Sequence, residues 1–159
     1  MFTNKTQHGI SLIELIMFIV IISVSLMALL SVLNVTTKNS TDPLLRKQAL
    51  AIAESLLEEV QLQNFANPVG GFTGAATQAN RANFDDVFDY NGFATAGIFP
   101  ADGSTIAVTG LGKYGVGVNV VNPPAAWGSI PANDVAQITV TVTDPSGQSL
   151  QAVGYRVNY

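Results

Sequence analysis

Two carboxylate settings in this chain could do chemistry, and each would do a different kind. Glu14 stands alone in an apolar stretch: from Leu15 to Leu33 there is no charge, no Gly and no Pro. A carboxylate at the centre of a membrane helix costs on the order of 2.5–3.5 kcal/mol, less near an end, and such a group usually has a partner. The obvious partner is a freed N-terminal amine on a neighbouring copy. The plainer alternative is a Glu near a helix N-terminus, where the helix dipole favours negative charge. The second setting is Asn83 to Phe93, NFDDVFDYNGF, which gathers Asp85, Asp86, Asp89 and Asn91. Hard oxygen donors this close could wrap a calcium ion, although their spacing is not that of an EF-hand loop. A turn in which Asp and Asn bond their own backbone explains the same residues.

Little else is available for catalysis. The chain has no Cys, which removes thiol chemistry, Cys-ligated zinc and disulfides. Its one histidine, His8, lies in a short polar leader, MFTNKTQHG, and would be lost with it on processing. Glu58 and Glu59 are neighbours on a helix, point in different directions and read as solvated surface. The chain therefore reads as a non-enzyme, with no cofactor required beyond a possible calcium ion. A formal net charge of −4, without clustered Lys or Arg, argues against a nucleic-acid partner.

The element that positions Glu14 is the apolar run itself, since roughly 18 or more such residues can cross a bilayer as a helix. A secretory signal has an apolar region of roughly 7–15 residues that ends at small residues, whereas here the plausible processing site precedes a longer run. Gly9-Ile10-Ser11-Leu12-Ile13-Glu14 resembles the processing motif of type IV prepilins and type II secretion pseudopilins. The resemblance implies cleavage after Gly9 by a prepilin peptidase, methylation of the new terminus at Ile10, and an assembly role for Glu14. Ile10 departs from the commoner Phe or Met. The resemblance also implies a single-pass inner-membrane protein with a periplasmic C-terminal domain, which then moves to a pilus at the cell surface. Lys38, Arg46 and Lys47 after the helix, against Lys5 before it, count against that orientation. Long domains translocate largely regardless of flanking charge, so the count is overridden.

Further on, Asp42-Pro43 reads as an N-cap followed by Pro at the first helical position, where the rod either kinks or restarts. From Pro43 to Gln63 the apolar positions Leu45, Ala49, Ile52, Leu56 and Val60 fall on one helical face. Residues 64–104 read as a long irregular connection broken by Pro68, Gly70-Gly71 and Pro100. Strands are expected at Ile106–Thr109 and Tyr114–Val121. A hairpin of Val135–Thr143 and Gln148–Tyr159 is expected around Asp144-Pro145-Ser146-Gly147. Trp127 is expected as an anchoring core contact. The expected boundaries are a leader at 1–9, a transmembrane and assembly helix at 10–35, an amphipathic second helical half at 36–63, and a loop-and-sheet head at 64–159. The fold class is α+β and pilin-like, a long N-terminal transmembrane helix packed on a C-terminal antiparallel sheet.

Phe84-Asp85-Asp86-Val87, Asp89-Tyr90, Gly92 and the closing Tyr155-Arg156-Val157-Asn158-Tyr159 are similar to a group of minor pilin-like proteins, the biogenesis protein D group of the mannose-sensitive haemagglutinin (MSHA) pilus. A minor pilin-like subunit is therefore expected, with the inner membrane, a prepilin peptidase and other pilin subunits as partners, the last through the N-terminal helix. A minor pseudopilin of type II secretion shares the motif. A membrane-tethered periplasmic binding domain is the alternative from a different class.

Overall fold

The apolar run forms a helix because nothing within it breaks one. The structure, a computed structural model, describes the backbone of residues 11–158 and the side chains outside 34–42. Helix α1 spans Leu12–Gln61, with Glu14 in its first turn and Pro43 inside it. Asp42 therefore does not cap a new helix, as its pairing with Pro43 suggested. Extending an existing helix adds one bond per residue, whereas a restart needs a new and costly nucleus. Pro43 still removes one backbone donor from the ladder.

Two compact units divide between Thr41 and Asp42. In the first, Leu12–Leu33 has a mean hydropathy of 2.9 and none of its residues is buried, so its apolar surface faces outward all round. Ser23 and Ser25 turn their hydroxyls back onto the carbonyls of Ile19 and Ile21, at 2.7 and 2.8 Å. That bonding satisfies the two polar groups without breaking the apolar surface.

The second unit is α+β. Its antiparallel sheet has the order β1 (Ala94–Ala96), β2 (Gly115–Val121), β3 (Val135–Thr143), β4 (Ser149–Val157). Val116, Val118 and Val120 alternate onto the inner face, as do Ile138, Val140 and Val142. Ala49, Ala53, Leu56 and Val60 of α1 meet them in one core. The fit is close. A Cβ on Gly154 of β4 would lie 2.9 Å from Leu57 Cδ1, and Tyr114 Oη donates to Gln48 Oε1 at 2.6 Å.

The β3–β4 hairpin is the expected one. Asp144 accepts from Ser146 Oγ at 2.6 Å and from the Ser146 and Gln148 amides at 2.8 and 3.0 Å. These bonds, the Ser146 hydroxyl foremost, hold its carboxyl below the usual carboxylate range. Gly147, at φ 87°, takes the left-handed position that closes the turn.

Three expectations fail here. Ile106–Thr109 is not a strand; Ile106 is exposed, and the segment is held by Val108 N donating to Ile98 O. A short β-branched run with no face to bury gains nothing from extension. The loop 64–104 is not wholly irregular, since it contains 3-10 turns at Gln78–Asn83 and Val87–Tyr90 and the short strand β1. Trp127, expected in the core, is 54 % exposed.

Candidate functional site

Of the residues singled out for processing, Gly9 and Ile10 lie outside the described residues. Glu14 is described and exposed. It is the one charged residue of Leu12–Leu33, a segment none of whose residues is buried among the described residues.

The acidic residues of the loop do converge. Asp85, Asp86 and Asp89 each bring a carboxylate oxygen within 4.8 Å of the others. The convergence is local in origin, because Asp86 caps the 3-10 turn Val87–Tyr90. Its Oδ1 accepts from the Phe88 and Asp89 amides at 2.7 and 3.2 Å. Asp89 reciprocates, its Oδ2 accepting from the Asp85 and Asp86 amides at 3.0 and 3.3 Å. This is a capping box with Asp at both ends. Asp85 Oδ2 takes the Phe72 amide at 3.0 Å, while its Oδ1 is buried without a partner. Asn91 lines the same hollow as Asp86 and Asp89, and its Oδ1 accepts from Val120 N at 3.2 Å.

Each of the three carboxylates thus already holds a backbone donor and keeps a second oxygen for another ligand. Burial pushes the Asp86 carboxyl up, and the charges of Asp89 and Asp85 add to this against the opposing backbone bonds. A hard cation would relieve that repulsion, and anything that binds only the folded form stabilises it, by about 2.7 kcal/mol at a hundredfold excess over the dissociation constant. For the calcium reading, the expected result is a melting temperature of the head from Lys38 onward that climbs with calcium and falls back with chelator. Asp86→Asn keeps the cap oxygen but removes the charge. It should melt no lower than the native head in chelator, and should lose the calcium response. A calcium-independent melt of the native head leaves the capped turn as the whole account.

The residues that sequence reasoning missed sit beside this turn. Glu59 is not solvated surface. Arg81 grips it with two bonds, Nε to Oε1 at 2.9 Å and Nη2 to Oε2 at 2.5 Å, and Tyr90 Oη donates to Oε1 at 2.9 Å. Arg81 Nη1 also donates to Phe99 O at 2.9 Å, and its guanidinium lies 5.5 Å from the centre of the Phe93 ring. Burial first, and then the Glu59 charge, push the Tyr90 phenol far up. Phe84 packs edge-on against Tyr90 at 4.8 Å and Phe93 at 6.1 Å. The network closes the long connection onto α1 by packing and charge, in a chain with no disulfide. A groove of about 430 Å³ beside it is lined by Ile52, Leu56, Ile98, Phe99 and Leu111, with Glu59 and Arg81 already paired to each other.

No protein-family model, no curated protein and no solved structure matches this chain.

Proposed function

We propose that the chain is a minor pilin-like subunit, cut after Gly9 by a prepilin peptidase and drawn through its N-terminal helix into a type IV, MSHA-like pilus. The supporting observation is the contrast along α1. Residues Leu12–Leu33 expose apolar surface all round with one carboxylate at the start, whereas Ala49, Ala53, Leu56 and Val60 bury a single face in the head's core.

A helix that is apolar on every side needs lipid or other helices around it. Passing from a bilayer into a filament core keeps that surface buried, so one segment serves as anchor and as polymer core. Glu14 then pairs with a neighbour's terminal amine and sets the axial register. The head stays outside the membrane, in the periplasm before assembly. The role is structural and uses no catalytic group.

Processing supplies the test. The intact mass of membrane-extracted protein should correspond to residues 10–159 with one added methyl group. An intact leader in a host with an active prepilin peptidase would remove the assignment.

A further inference from the structure

Trp127 is the chain's one tryptophan, and its exposed ring stands on a turn and against a second ring. Trp127 N donates to Ile130 O at 2.9 Å and Ile130 N returns a bond to Trp127 O at 3.1 Å, around Gly128 at φ 63°. The indole packs against the ring of Tyr155 on β4, with centres 4.8 Å apart. Pro123, Pro124 and Gln137 help wall the open hollow of about 370 Å³ beside the two rings. Rings already packed on each other have less side-chain freedom to lose on binding than lone exposed rings.

The sheet register continues the surface away from the rings. Val121, Gln137 and Tyr155 form one outward row; Asn119, Thr139 and Val153 the next; Gly117, Thr141 and Gln151 the one after. These rows carry amides, hydroxyls and small apolar groups and no Asp, Glu, Lys or Arg. An anionic or cationic ligand would find no opposite charge here. A purely apolar partner would strand the amides without hydrogen bonds. The remaining match is a ligand with an apolar C–H face and a rim of groups that both donate and accept.

We propose that this face binds a neutral polysaccharide chain, one sugar ring lying on Trp127 and Tyr155 while hydroxyls bond to Gln137, Asn119 and Thr139. Ring C–H groups pack on the negative face of an aromatic ring. Side-chain amides offer both a donor and an acceptor to each hydroxyl. Because the polar rows run on in register past the ring pair, the face takes an extended chain rather than a single sugar. The inference does not depend on filament assembly.

Trp127 is also the reporter. The full chain, in phosphatidylcholine nanodiscs free of alkyl-glycoside detergent, is titrated with cellohexaose, xylohexaose, laminarihexaose, maltohexaose and chitohexaose while tryptophan emission is followed. An oligogalacturonate and a proline-rich peptide serve as comparisons. At least one neutral hexasaccharide should give a saturable emission shift with a dissociation constant at or below about 1 mM. Tyr155→Ala and Gln137→Ala should each weaken it by about tenfold, and Leu62→Ala, at an exposed site elsewhere, should not. The proposal is overturned if no neutral hexasaccharide saturates, if the anionic chain or the peptide binds more tightly, or if both variants bind as the native chain does. Should Tyr155→Ala fail to fold, saturation transfer from the native protein's aromatic protons decides instead. Sugar ring protons must receive it, and their silence overturns the proposal equally.

Discussion

Glu14→Ala should be cleaved and inserted like the native chain, yet its recovery in sheared filaments should fall by at least about tenfold, the factor that 1.4 kcal/mol represents. Glu14 is the single carboxylate in the apolar surface of Leu12–Leu33. In the proposed filament, where neighbouring helices would replace lipid headgroups and water, an ionised carboxylate would need a cation beside it, and a neighbour's terminal amine would supply one. On that proposal, removing the carboxylate would leave the amine unpaired in the filament core, so the expected defect is in assembly and not in insertion. Glu14→Gln keeps the shape and loses the charge, and should fail in the same way. Immunoblots of sheared and cell-bound fractions, normalised to processed subunit in the membrane, give the measurement. Native-like recovery of both variants in the sheared fraction would refute the assembly role proposed for Glu14.

Arg81→Ala should destabilise the head strongly for a single polar change. It leaves the Glu59 carboxylate with the Tyr90 hydroxyl alone, removes the donor to Phe99 O, and uncovers Phe93. Breaking a fully buried ion pair costs about 3–5 kcal/mol. The side chains of Arg81 and Glu59 keep 10% and 23% exposure, so water recovers part of this and about 2–3 kcal/mol remains. For a head of this size that is a fall in melting temperature on the order of 10 °C. Replacing both partners by neutral groups, Glu59→Gln with Arg81→Met, should restore much of the loss, because no uncompensated charge is left. Thermal and denaturant unfolding of the single and double variants make the comparison. A single-variant loss under about 0.5 kcal/mol would place the pair among weak surface bridges.

The hairpin was legible because its signals are local. Val135–Thr143 alternates with period two, and Asp144-Pro145-Ser146-Gly147 carries the turn chemistry, and both stand in the structure as read. The buried face of α1 was legible for the same reason, with Ala49, Leu56 and Val60 in the core as their spacing required. The acidic run was visible as a cluster, yet its capping box was not, because which oxygen meets which amide depends on the backbone path from Asp85 to Asp89.

The sequence alone determined the elements whose residues are their own context: an uncharged run long enough to span a membrane, a helical stripe, and alternating strands about a turn. Tertiary structure decided everything that needed a distant partner. Arg81 reaches Glu59 across 22 residues, and Tyr90 reaches it across 31. Ala94–Ala96 becomes a strand only because β2 offers it an edge. Trp127 stays at the surface because Ile130 and Tyr155 hold it there. Periodicity records which side of an element faces inward, since each residue's direction is set by its immediate neighbours in the chain. It carries no record of which remote side chain will arrive opposite, because that is fixed only when the whole core packs.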